Sequence, residues 1–177
     1  MSAAPPQPPL PPLPPEVAAY WREVCAARGI AAEGIVHFSM FGTAEMADEL
    51  AALVCLGRKR GTAGLAHNYE GGDEPAPVLG GHLVVISSAG VPVALVRTVQ
   101  LDRFAFRDVP AWFAEREGED EGHGEACLAS WKAGHGRFFT RECASQGRVF
   151  DEAMVVVCES FDLVDVRPDW RVQLVTA

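Results

Sequence analysis

The chain has no Cys-x-x-Cys pair, no apolar run long enough to span a bilayer, no internal repeat and no two histidines at helical ligand spacing. Its five cysteines, Cys25, Cys55, Cys127, Cys143 and Cys158, are odd in number and scattered, which suits neither a disulfide framework nor a zinc ribbon and fits a reducing compartment. No basic segment leads into an apolar core at the N-terminus, so the expectation is a cytoplasmic protein that is neither exported nor membrane-bound. His123 stands among acids without a second ligand, so neither a metal nor a cofactor is expected. Basic residues are also in deficit, 15 against 24 acids, for a net charge of -9. Affinity for a nucleic-acid backbone rests on neutralising phosphates, so this balance disfavours double-stranded DNA and long RNA and favours a small ligand or a short single-stranded segment. The acidity is concentrated in residues 111–125, where six acids face the single Arg116.

What is present is enough for one domain. At 177 residues and 49% hydrophobic content the chain can bury a sizeable core but not two. Residues 1–15 are proline-rich and read as a disordered arm, leaving 16–177 as the domain. "PEVAAYWREVCAARG" has a helical apolar face of Val17, Tyr20, Trp21, Val24 and Cys25, with proline at its entry and Gly29 at its exit. "GIVHFSMFG" holds a short strand, and "TAGLAHNY" reads as a strand carrying Tyr69. "HLVVISSAGVPVALVRTVQL" is a hairpin of two β-branched runs, with Pro92 suggesting an edge or first-strand position. "VPAWFAERE" and "ACLASWKAGHGRFFTRECASQG" read as helices, the second weakened by Gly134 and Gly136, and "AMVVVCESFDLVDV" as a long strand. This order predicts an α+β fold, a small antiparallel or mixed barrel flanked by helices.

One stretch concentrates charge of the scarcer sign. "GRKRGTA" puts Arg58, Lys59 and Arg60 between two glycines. The preceding helix, with Met46, Leu50, Leu53, Val54 and Leu56 on its apolar stripe, starts at Thr43 and ends at Gly57. Cations there complement the helix dipole, and on that reading Lys59→Ala would cost under ~1 kcal/mol. A phosphate loop is excluded, because a Walker motif opens a helix and places its lysine after the second glycine.

The same region, "FGTAEMADELAALVCLGRK", resembles the Phe-Gly, Ala-Asp-Glu-Leu-Ala, Leu-Val, Gly-x-Lys segment of bacterial ASCH-domain proteins. Further landmarks of that family follow in order: Tyr69 and Glu70, the hairpin, "FRDV", "EGE", then Trp131, His135, Phe138 and Phe139, and "VVCESFDLV", so that the resemblance spans residues 38–165. It implies a PUA-like β-barrel with a cleft beside the Gly-x-Lys element. It also implies RNA-related work of one of three kinds: amide hydrolysis of N4-acetylcytidine, cleavage of single-stranded RNA, or RNA binding without catalysis. Fold alone does not choose among them.

In the amidohydrolase members a lysine, a threonine three positions on and a glutamate of a later helix carry the chemistry, roles that would fall on Lys59, Thr62 and Glu117. Thr62 would supply the nucleophile, Lys59 the base and Glu117 a proton shuttle, with Arg58 and Arg60 depressing the lysine pKa if all three share a dry cleft. The bland alternatives are a helix-end cation, a strand residue and a solvated acid. Tyr69 would contact or stack on a base, and Cys127 stands where larger members have a serine, so both join Arg58 and Arg60 as candidate substrate contacts.

Overall fold

The computed structural model describes residues 12–70, 74–119 and 122–170. In chain order the elements are α1 (Pro15–Arg28), β1 (Val36–Ser39), α2 (Ala47–Cys55), β2 (Gly61–Leu65), a single turn α3 (Ala66–Tyr69), β3 (His82–Ile86), β4 (Pro92–Ala105), a 3-10 turn over Phe106–Asp108, α4 (Ala111–Glu117), α5 (Gly124–Ser145) and β5 (Val155–Val166). The strands form one curled, mixed sheet, a half-barrel in the order β1-β3-β4-β5-β2. Only β1 and β3 run parallel; the other neighbours are antiparallel.

The continuous apolar run of β3 reflects burial on both faces. Leu83 and Val85 pack under α2 with Leu50, Ala51 and Val54, while the intervening Val84 packs under α1 with Trp21 and Val24. The five buried side chains of α1 are those its sequence spacing selects, and the helix ends at Gly29 with φ 67°. Leu13, within the segment read as a disordered arm, packs against this same cluster, and Pro15 is the first residue of α1. Residues 1–11 of that arm lie outside the described residues.

One expectation about local structure is narrowed and two are corrected. Of the two positions expected for Pro92, it takes the first residue of its strand and not an edge, since β4 is central; the register slips beside it, between Val85 and Ile86. Tyr69 lies in the turn α3 instead of a strand, since β2 ends at Leu65. Gly134 and Gly136 leave α5 unbroken over 22 residues, because Cys127, Trp131, Phe139 and Cys143 repeat every fourth or eighth position along one buried stripe. Packing of that stripe on Phe106, Phe113, Val156 and Cys158 outweighs the roughly 1 kcal/mol that each glycine costs.

Among the described residues no helix is long and apolar enough to cross a membrane. None of the five cysteines forms a disulfide.

Candidate functional site

The opening of the site is a helix end. Helix α2 closes with Gly57 in the left-handed region at φ 72°, Gly57 N–H donating to Val54 O and Arg58 N–H to Leu53 O, a Schellman termination. The chain then turns into β2 against the end of α4, where Arg60 N–H donates to Arg116 O at 2.9 Å. Gly118 makes the approach possible. A Cβ at that position would fall 2.1 Å from the carbonyl oxygen of Arg58, and its φ is 63°.

This docking turns the middle cation inward. Lys59 is only 2% exposed, whereas Arg58 and Arg60 stay at the surface. Lys59 Nζ donates to Glu117 Oε2 at 2.8 Å and to Glu119 Oε1 at 2.5 Å, and lies 5.4 Å from the centre of the Phe41 ring. Glu117 is as deeply buried, its side chain 1% exposed, and its other oxygen is 3.4 Å from His135 Nε2. His135 stacks on Trp131 with ring centres 4.1 Å apart, and its Nδ1 faces Trp131 O at 3.2 Å.

The electrostatics follow from this geometry. Burial works against the Lys59 ammonium, but Glu117 and Glu119 more than offset it and hold the pKa above the ordinary lysine value. The depressed lysine expected from Arg58 and Arg60 is therefore overturned, because the arginines face water and the neighbours inside are carboxylates. Burial likewise opposes the Glu117 carboxylate, yet Lys59 and His135 keep its pKa well below the usual range. For His135, burial is outweighed by Glu117, and the pKa rises. The small stability cost expected for Lys59→Ala is overturned too, since its loss would strand a buried carboxylate.

The lysine and its acid open onto a cavity of about 550 Å³, within the size range of small-molecule sites. Thr62, Gly64 and Glu159 line it from the sheet, Tyr69 and Asn68 from α3, and Phe41 and Leu50 from the α2 side. Helix α5 contributes His135, Arg137, Phe138, Arg141 and Glu142. Tyr69 lies across Gly64, whose absent side chain makes room for it: a Cβ there would meet the phenol oxygen at 2.1 Å. Burial pushes the Tyr69 hydroxyl pKa up, helped by the carboxyls of Glu74, Glu159 and Glu142.

Of the residues singled out from sequence, Lys59, Thr62, Tyr69 and Glu117 are thus brought to one cavity. Arg58 and Arg60 are exposed and are not among its lining residues, and Cys127 packs in the core with Phe113 and Trp131. Sequence reasoning did not select Glu119, His135 or Glu159. His135 had a signal, standing midway in the every-fourth-residue stripe of α5. Glu159 had another: a charged residue inside an otherwise apolar strand has to meet something polar. No cluster of three or more potential metal ligands occurs among the described residues.

Comparison with known proteins agrees with this architecture. A family model described as the ASCH domain matches residues 37–165. The crystal structure of an ASCH domain from Lactobacillus crispatus JV V101 superposes with a TM-score of 0.73 at 26% identity, over 83% of this chain and 93% of that one. A protein from Enterococcus faecalis V583 does so with a TM-score of 0.74 at 28% identity, over 86% and 95% respectively. No curated protein matches the chain.

Proposed function

This chain belongs to the ASCH-domain family, and from that premise we propose that it hydrolyses the exocyclic amide of a small acylated nucleoside of the N4-acetylcytidine type. The observation that carries the proposal is the convergence of Lys59, Thr62, Tyr69 and Glu117 on one cavity, with Lys59 and Glu117 in direct contact. Carboxyl groups of Glu74, Glu117, Glu119, Glu142 and Glu159 line the same space with the cations Lys59, Arg137 and Arg141. Such a lining holds no excess of positive charge for a chain of phosphates and accepts an uncharged nucleoside.

The chemistry divides among the residues as follows. Lys59 becomes a base only after its proton passes to Glu117 along their 2.8 Å contact, an uphill transfer, since each group holds the other in its charged form, and so a contribution to the barrier. The neutral amine takes the Thr62 hydroxyl proton as Oγ1 attacks the acyl carbonyl carbon. The C–N bond then breaks as the Lys59 ammonium returns that proton to the departing N4 nitrogen, releasing cytidine and leaving an ester on Thr62 beside a neutral amine. Water attacks that ester, gives its proton to the amine, and acetate leaves as the hydroxyl is restored.

A single-stranded RNA reading has one observation in its favour: Arg137 and Arg141, exposed and one turn apart on α5, stand at the cavity lining where a flanking phosphate could reach them. The two readings separate on incubating the protein with N4-acetylcytidine and with single-stranded RNA in parallel and weighing the products. Cytidine plus acetate with intact RNA is the expected result. Shortened RNA with untouched nucleoside would replace this proposal by the ribonuclease.

A further inference from the structure

Glu159 is 4% exposed and yet lines the cavity, at the middle of β5. In the β2·β5 ladder it stands directly opposite Thr62. Opposed residues of an antiparallel pair share a face of the sheet, with Cβ atoms about 4.5–5.5 Å apart. Its carboxyl is fixed from the other side by Thr98, itself 2% exposed, whose hydroxyl donates to Glu159 Oε1 at 2.5 Å. The β4·β5 ladder shifts register between Thr98 and Gln100, and Leu101 is the residue paired with Glu159. Thr98 takes one of the two lone pairs of Oε1 and leaves the second able to accept.

Resting on the nucleoside reading above, we propose that Glu159 determines base specificity, pairing with an aminopyrimidine by donating from Oε2 to ring N3 and accepting N4–H. An acyl group carried on N4 then falls on the Thr62 side of the cavity, because Thr62 and Glu159 face each other across the ladder. Donation requires a protonated carboxyl. Burial raises the Glu159 pKa, with the Thr98 hydrogen bond opposing, and the neighbouring Glu74 and Glu142 carboxyls are raised by burial as well. Thr98 supplies the polarity of the pair: an oxygen that accepts the Thr98 hydroxyl is the poorer place for the acid proton, which leaves it on Oε2. Uracil presents the reverse pattern, a donor at N3 and an acceptor at position 4, and would leave both partners of Glu159 mismatched. Glutamine has a donor and an acceptor of its own and should substitute for the acid; alanine has neither.

The test is calorimetric binding of cytidine and of uridine to the full chain, which needs no turnover. The wild type should prefer cytidine by roughly 10- to 100-fold. Glu159→Gln should keep cytidine affinity within about threefold, Glu159→Ala should lose tenfold or more, and Thr98→Val should narrow the preference. Melting curves establish that each variant folds; should Glu159→Ala not fold, Glu159→Gln and Thr98→Val decide. Equal affinity for the two nucleosides, no affinity for either, an unchanged Glu159→Ala, or a Glu159→Gln as impaired as Glu159→Ala would each overturn the inference. Thr62→Ala separates it from the catalytic reading, since that variant should retain cytidine preference while losing hydrolysis. A wild type that prefers cytidine through Glu159 but leaves N4-acetylcytidine intact upholds the specificity role and removes the hydrolase. Hydrolysis with a KM indifferent to Glu159→Ala does the reverse.

Discussion

Lys59 and Glu117, 58 residues apart in the chain, form an ion pair in which each side chain is 1% exposed. Water screens neither charge, so each is tolerable only in the presence of the other. Lys59→Met should therefore lower unfolding free energy in urea by roughly 3–5 kcal/mol, several times what a helix-end cation contributes. Lys59→Arg should lose less stability and still be without hydrolytic activity, because arginine cannot shed its proton near neutrality. An active Lys59→Arg would remove the base role.

The two flanking titrations set opposite limbs of the stability curve. Glu117 has a depressed folded pKa, so its contribution is present above its unfolded value near ~4.3 and is lost as pH falls through the folded value. His135 has a raised folded pKa, so its contribution is complete below ~6.5 and is lost as pH climbs through the folded value. Melting temperature should peak between these two unfolded values. His135→Gln should flatten the alkaline side while leaving the acid side steep; a variant whose two limbs both match wild type would show that the contact contributes nothing.

Glu159 acts in the opposite sense to Glu117. Its folded pKa is raised, so stability is greatest below ~4.3 and falls as pH rises through the folded value. Glu159→Gln should match the wild type near pH 4 and exceed it in melting temperature at pH 8. Equal melting temperatures at both pH values would mean that the carboxyl ionises as easily in the fold as outside it.

Tyr69 and Gly64 are packed so closely that a methyl group cannot be added between them. Gly64→Ala should cost about 1–3 kcal/mol and raise KM by displacing the ring from the cavity. Combined with Tyr69→Ala, the same change should cost far less, a coupling that a double-mutant cycle in urea would register. Additive losses would indicate that strain falls on the strand and not on the ring.

Most of the scaffold was legible because it depends on local pattern. The five-residue face of α1, the α2 termination at Gly57 and the β3–β4 hairpin each follow from spacing within one segment. The family resemblance brought Lys59, Thr62 and Glu117 together on paper. Their environment was not legible. A run of three cations reads as surface, and nothing near it announces that α4 will dock there and bury the middle one; that information sits at Gly118, where only the lack of a side chain admits the carbonyl of Arg58. Glu117 reads locally as one acid among several in a hydrophilic stretch. Tyr69 went to the wrong element because the β-like composition of "TAGLAHNY" continues past Leu65, where the strand stops.

The contact of Gly118 with Arg58 also bears on when the site comes into being. It joins segments that flank β2 through α4 in sequence, so the chain must close a long loop before the lysine can meet its acid, and such closures are among the slow steps of folding. The same ladder that carries Thr62 draws β5 from near the opposite end of the domain. The elements built from neighbours, α1, the β3–β4 hairpin and α5, need no such closure, whereas Lys59 stays hydrated until it occurs. Ligand binding at this cavity accordingly reports completion of the fold, and amide protons of Arg60 and Phe161, which bridge the late contacts, should be the ones whose exchange slows last.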